Sequence, residues 1–306
     1  MSLLALLVAL LAQHASPPGP RQPLLAFYGR MCLSAAKRLS AGDRNSGIVA
    51  WFALMVAVLV PAALVTALAA AIHPFALWLL DIATLYATLR FLRTAGELGA
   101  IEKLLREGEV AAAASRLAQW RAEPVAVDDA SSVARLAAEQ ALREAHQGAF
   151  APLFWYLVLP GPLGLVLYPL ALRAAQAWEQ VVDPDERDFG WFAGRAFHAI
   201  DWIPQRLTAF AFAVVGDFED AIFCWRSQAA AWGHPEEGIV LASGAGALGV
   251  RLGDPISASG ALVARPTLGV GEGAREDALA SLEAMLWRAL ALWLIVFLLQ
   301  AALHFR

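Results

Sequence analysis

Three stretches of this chain hold residue types that could do chemistry. Asp81 lies inside an apolar run, Phe75–Leu92. An acid in such a run is a functional candidate because its burial is costly. The plain alternative is an interior aspartate bonded to a Ser, Thr or Trp of a neighbouring helix. Arg195, His198 and Asp201 follow at spacings of three, so on a helix they could share a face. Trp202 and Arg206 come next, with Pro204 expected to fix a turn. A His–Asp pair needs a nucleophile or a metal to become catalytic. Nothing near it supplies either, so interface anchoring or packing is the expectation. The third stretch, Gly244-Ala245-Gly246-Ala247-Leu248-Gly249-Val250, is only superficially a dinucleotide loop. It does not follow a clear strand, as a G-x-G-x-x-G fingerprint must, and no acid follows at the required distance. No P-loop, H-E-x-x-H or G-x-S-x-G occurs. Cys32 and Cys224 have no Cys or His at ligand spacing, so no metal site is expected.

The elements that must position these residues are mostly apolar. The 306 residues are 59% hydrophobic and 16% charged, with a mean hydropathy of +0.56. Soluble domains average about 45–50% apolar and about 25% charged, so the balance points to an integral membrane protein with the lipid bilayer as its first partner. The formal net charge of −4 offers no basic field for nucleic acid. Met1–Leu11 is apolar but short and has no basic region before it. We therefore expect a retained membrane-associated helix rather than a cleaved signal, followed to residue 47 by a basic segment with Arg21, Arg30, Lys37, Arg38 and Arg44.

Ile48–Ile72 and Phe75–Leu92 read as a transmembrane hairpin with a very short turn at His73-Pro74, kinked at Pro61. The basic flanks on both outer sides place those flanks in the cytoplasm. Residues 93–147 read as a cytoplasmic helical lobe whose charges form a solvated face. A second apolar run, 149–175 within a segment 148–176, is interrupted by Pro160-Gly161-Pro162. Two readings stand: one kinked span, which is preferred, or a re-entrant hairpin. Residues 177–285 read as a polar region, with a turn at Asp183–Asp188 and a short interfacial helix over Leu207–Val215. Gly244–Gly273 is expected to be irregular. Leu286–Phe305, within 286–306, is the last span. The expectation is an all-α polytopic membrane protein with about four transmembrane helices and a polar, largely helical lobe.

Two related families resemble this chain. Ala151-Pro152-Leu153-Phe154-Trp155, the later Ala199-Ile200-Asp201-Trp202-Ile203-Pro204-Gln205-Arg206-Leu207, and Val214–Ala221 resemble the AmpE-type inner-membrane proteins. That resemblance implies a role in β-lactamase-induction signalling. Ala245–Pro255, which contains Gly246, Gly249 and Gly253, resembles the AGALG-xx-LGGP run of the CobD/CbiB adenosylcobinamide-phosphate synthases. Arg265-Pro266-Thr267-Leu268-Gly269 resembles their KPxxG run, and Leu105–Glu109 also fits their pattern. This second resemblance implies ATP-dependent amide formation between adenosylcobyric acid and an aminopropanol phosphate, with ATP, magnesium and a corrinoid as ligands.

The chain departs from the synthase pattern at several acids. Arg143–Gly148 stands where that family has AEN-xx-DG, without its Asp. Tyr168 is kept, but Pro169, Leu172 and Ala175 fall where Lys, Asn and Asp would be. Arg195, Pro204 and Arg206 are kept, while Phe197 and His198 replace acids. Such a ligase needs carboxylates to hold magnesium, so the expectation is a non-catalytic bacterial inner-membrane protein that senses, signals or scaffolds with membrane or cytoplasmic protein partners. No cofactor is expected in that role. The divergent synthase is the alternative; it would need Glu139, Glu144, Asp201 and Asp254 to stand in for the missing acids. A transporter built on Asp81 ranks last, because inverted repeats and sufficient spans are lacking.

Overall fold

The computed structural model describes residues 2–16, 23–40, 43–124, 129–181, 187–253, 255–258 and 261–304. Pro17–Arg21, most of the 183–188 turn and Asp254 lie outside the described residues. The chain divides into two compact units. One comprises Met1–Leu89, Ala151–Trp202 and Phe297–Arg306; the other comprises Arg90–Phe150 and Ile203–Val296.

The first unit starts with α1 (Ser2–Ala15), α2 (Pro23–Leu39), α3 (Arg44–Ile72) and α4 (Pro74–Thr88). Asp43 caps α3 by accepting from Ser46 N at 3.1 Å, and the helix runs on through Pro61. The α3–α4 turn is a single extended residue, His73. Its Nδ1 accepts from Phe75 N at 3.1 Å, and Pro74 opens α4, where the missing proline N–H is harmless. The short turn expected at His73-Pro74 is therefore present. Buried Gln13 ties α1 to α4 by donating to Tyr86 O at 2.8 Å and Leu89 O at 3.0 Å. These are carbonyls that a helix end leaves without intrahelical partners.

The second apolar run is not one kinked helix. It forms α8 (Ala151–Val158), a turn, and α9 (Leu163–Val181). Gly161 takes φ +58° in the turn, and a Cβ on Gly164 would strike the backbone carbonyl of Trp155. Packing this close needs glycine on the approaching strand of chain, so the Pro-Gly-Pro break turns the chain back on itself. Trp178 of α9 donates to Cys32 O of α2 at 2.9 Å and packs on Phe189. It anchors a cluster that also contains Leu54, Met55 and Leu170.

α10 (Arg187–Val215) corrects two further expectations. Residues 187–206 are helical, Pro204 sits inside the helix rather than at a turn, and 207–215 is its continuation rather than a separate interfacial helix. Among the described residues three helical stretches are long and apolar enough to cross a membrane: Arg44–Ile72, Pro74–Arg106, which includes a break at residues 89–90, and Glu276–Leu303. The segment 149–175 is not among them, because the break leaves it as two shorter helices.

The second unit holds α5 (Phe91–Arg106), α6 (Val110–Arg121) and α7 (Ala130–Ala145), then α11 (Phe218–Gln228) and α12 (Pro235–Leu248), with most of α13 (Glu276–His304). α7 passes into a π-helical turn, His146–Phe150. The break between α4 and α5 has a local cause: Arg90 N donates to Gly148 O at 2.8 Å instead of continuing the helical ladder. α11 and α12 approach at backbone distance, since a Cβ on Gly246 would meet Asp220 O and one on Gly216 would meet Ala247 O.

The described residues of the glycine-rich stretch form regular elements, contrary to the expectation of irregularity. Gly244 and Gly246 lie within α12, and Gly249 ends it in the left-handed conformation. There follow β1 (Val250–Leu252), β2 (Ile256–Ala258), β3 (Ala261–Val263), β4 (Leu268–Gly269) and β5 (Glu272–Gly273). β1 is central to a three-stranded sheet, antiparallel to β4 and parallel to β5, while β2 and β3 form a hairpin.

Gly164→Ala should lower the thermal midpoint of the detergent-solubilised protein, with a cost of about 1–3 kcal/mol as for other overpacked sites. An unchanged midpoint would refute the tight α8–α9 turn.

Candidate functional site

The site grows out of α7. Its N-cap is Asp129, which accepts from Ser132 N at 2.7 Å and Ser131 Oγ at 2.8 Å. Burial pushes the Asp129 carboxyl up, but the hydrogen bonds from Ser132 and Ser131 outweigh it and hold it below its ordinary range. From this cap runs a stripe of polar residues at helical spacing: Ser132, Arg135, Glu139, Arg143 and His146. Ser132, Arg135, Glu139 and His146 are buried. The charges of this helix are therefore not the solvated face that the sequence led us to expect. Alanines at 134, 137, 138, 141 and 145 let neighbouring backbone come close all round the helix.

Glu139 is 1% exposed. One carboxylate oxygen accepts from Gly253 N at 3.0 Å and the other pairs with the Arg265 guanidinium. Arg265 lies over the Trp232 ring, its guanidinium carbon 4.9 Å from the centroid. Gly253 has φ +80°, and a Cβ there would collide with Pro266 O. Gln228 clamps the next turn of this loop, donating to Gly269 O at 3.1 Å and accepting from Gly269 N at 2.6 Å. The two quoted motifs, Ala245–Pro255 and Arg265–Gly269, thus meet at a single buried carboxylate. Arg143 pairs with Glu237 of α12 at 3.2 Å, and Arg90 with Glu144 at 3.2 Å. His146 Nδ1 lies 2.9 Å from Thr208 Oγ1. One helical turn before Thr208, Gln205 is fully buried with neither end of its amide bonded.

The remaining sequence candidates fall in the first unit or on surfaces. Tyr168 donates to Asp201 at 3.0 Å, both buried, so these two candidates are brought together. Arg195 and His198 are exposed on α10, and Arg195 lies over Trp191 rather than Asp201. Six residues turn a helix by about 240° from its start, so three-residue spacing kept up twice leaves the face. Asp81 is buried and accepts from Tyr156 at 3.1 Å, with its second oxygen unbonded. A Cβ on Gly161 would lie 3.9 Å from that oxygen, so Asp81 and the Pro-Gly-Pro turn are neighbours. Pro204 is buried and Arg206 half-buried within α10. Gly246 and Gly249 serve the α11–α12 contact and the α12 cap.

The fold and this site define an all-α protein with three helices fit to span a membrane and a polar unit built on a buried Glu–Arg pair. The chain belongs to the CobD/CbiB family: the family model described as CobD/Cbib protein matches residues 3–287. It is 34% identical to the cobalamin biosynthesis protein CobD of Stutzerimonas stutzeri over 94% of this chain and 93% of that one. It is 31% identical to the protein of the same name from Chromobacterium violaceum, over 99% and 97%. A third relative of that name, from Yersinia enterocolitica, is 25% identical over 76% and 74%. No solved structure matches the chain. These relatives overturn the regulatory reading drawn from the AmpE-like motifs: near full-length likeness to cobalamin biosynthesis proteins outweighs the loss of individual acids.

Glu139→Gln should destabilise the protein by about 3 kcal/mol or more, since it leaves a buried guanidinium without its counter-charge. The double change Glu139→Leu/Arg265→Met should recover much of that in a denaturation series; equal costs for single and double variants would contradict the buried pair. Asp129→Ala should cost about 1 kcal/mol, as for other lost N-caps. Because the folded carboxyl titrates below the unfolded one, the Asp129 contribution is present above the ordinary carboxylate range and fades as pH falls through the depressed folded value. The difference between wild type and Asp129→Ala should therefore shrink in acid, as read from paired pH melts.

Proposed function

We propose that this protein works in cobalamin biosynthesis in the bacterial inner membrane, forming the amide between adenosylcobyric acid and an aminopropanol phosphate at the expense of ATP. The observation that carries this reading is the convergence of Ala245–Pro255 and Arg265–Gly269 on Glu139, in a chain whose relatives over nearly its whole length are named for cobalamin biosynthesis. A carboxylate does not condense with an amine in water unless its oxygen is first turned into a better leaving group. Phosphoryl transfer from ATP does that, and such transfer relies on positioned cations.

The acids expected to compensate for the missing ones are already engaged: Glu139 by Arg265, Glu144 by Arg90, and Asp201 by Tyr168. Among the described residues no three His, Cys, Asp or Glu side chains gather. As they stand, Glu139, Glu144 and Asp201 do not fit a resident magnesium site. What the second unit offers instead is a set of arginines held by single carboxylates, suited to anionic substrates.

The decisive experiment is growth rescue of a bacterium lacking adenosylcobinamide-phosphate synthase, given adenosylcobyric acid with cobalamin limiting. Wild type should rescue. Failure, with the protein demonstrably in the membrane, would sink the proposed reaction.

A further inference from the structure

We propose that Arg265, through its Nη1, is the point at which the second unit grips a phosphoryl oxygen of its substrate, with Glu139 as the positioning residue. This rests on the reading that the substrates are phosphorylated. A guanidinium is a rigid planar fork with five N–H donors. In Arg265 one arm is committed to Glu139 and one face to Trp232. Nη1 is buried and has no hydrogen-bond partner. A buried charged donor without an acceptor is costly, and this one has little freedom to turn toward another partner. Glu139, which pins it, has its other oxygen fixed by Gly253 N.

The loop bearing Arg265 is held before any ligand arrives. Gly253 sits against Pro266 O and 3.2 Å from the Trp232 ring by its absent Cβ, and Gly269 is bonded at both its backbone groups to Gln228. The side chain as a whole keeps 15% exposure, while Nη1 itself is closed from solvent, so an anion must come in beside the exposed part of the guanidinium to reach it. A fixed cation with one unbonded arm suits a tetrahedral oxyanion, which presents acceptor oxygens in several directions and forms short, charge-assisted bonds. Both ATP and the aminopropanol phosphate carry this group, and the experiment separates them.

The test is calorimetric titration of the full-length protein in detergent with ATP, with aminopropanol phosphate, with inorganic phosphate, and with propionate as a carboxylate control. At least one phosphorylated probe should bind wild type. Arg265→Lys keeps a cation for Glu139 but loses the second arm, and it should weaken that binding about tenfold or more, the scale of one hydrogen bond to a charged group. Glu139→Gln should weaken it too, while Arg226→Lys on α11 should not. Which probe responds to Arg265→Lys tells whether the nucleotide or the amine phosphate uses the site. Equal affinity in Arg265→Lys would overturn the proposal, as would propionate binding as tightly as phosphate, or no phosphorylated probe binding wild type. If Arg265-dependent binding is found and growth rescue fails, the site stands and the reaction falls. If rescue succeeds and Arg265→Lys binds every probe like wild type, the reaction stands and the site falls. Co-elution of both variants with wild type on size exclusion shows that they are folded.

Discussion

A carboxylate with almost no contact with water, Glu139, sets the terms for the second unit. Removing a carboxylate from water is unfavourable by several kcal/mol unless hydrogen bonds and a counter-charge replace its hydration. Gly253 N–H and the Arg265 guanidinium supply both. Each then constrains something else. The backbone donor requires a left-handed residue at 253, and the guanidinium requires a packing face, which Trp232 provides. The helix that carries Glu139 is buried along nearly its whole length, and its many alanines leave room for that. The alanine-rich α7, the glycine loop and the Arg-Pro run are answers to one requirement.

The first unit handles its buried polar groups differently. There, single hydrogen bonds link one helix to another: Gln13 to the end of α4, Tyr156 to Asp81, Tyr168 to Asp201, Trp178 to the Cys32 carbonyl. Helices that are apolar on most faces gain little specificity from hydrophobic contact alone, and buried polar links fix which faces meet. Asp81 keeps one oxygen unbonded beside the Pro-Gly-Pro turn, so this junction leaves a buried carboxylate partly unsatisfied.

How much of this was legible in the sequence differs by the kind of signal. The apolar helices over 48–72 and 286–304 and the turn at His73-Pro74 follow from apolar runs and a proline, and they are present in the structure. The Pro-Gly-Pro break was visible, but its consequence was not, because kink and hairpin differ only in whether a helix such as α9 finds a packing partner. Here Gly164 allows contact with the Trp155 backbone. The burial of Arg135 and Glu139 was hidden because charge on a helix ordinarily marks the wet side. The available clue was the alanines between the charges, which leave only Val133, Leu136 and Leu142 as bulky apolar residues of the helix. Arg265 and Gly253 were legible as motif residues, but their meeting at Glu139 was not, since nothing local links them. Gln205 was quoted only as part of a run, and its isolation in the interior is a tertiary fact. The functional error came from counting acids position by position, while the likeness of the whole chain pointed the other way.

The partners of Glu139 lie 114 and 126 residues further along the chain. On the ribosome, α7 emerges long before either of them exists. Until the loop around residues 253–265 is made, its central acid lacks the Arg265 counter-charge, and only the earlier helices α5 and α6 are there to pack on it. The order of synthesis therefore dictates a late, all-at-once closure of this unit, after the spans at 44–72 and 74–106 have left the ribosome. Contacts so distant along the chain also close slowly, because a long loop must be ordered before any of them can form. A chain cut short before residue 265 would carry a helix whose interior was assembled for a partner that never arrives, a ready substrate for membrane proteases.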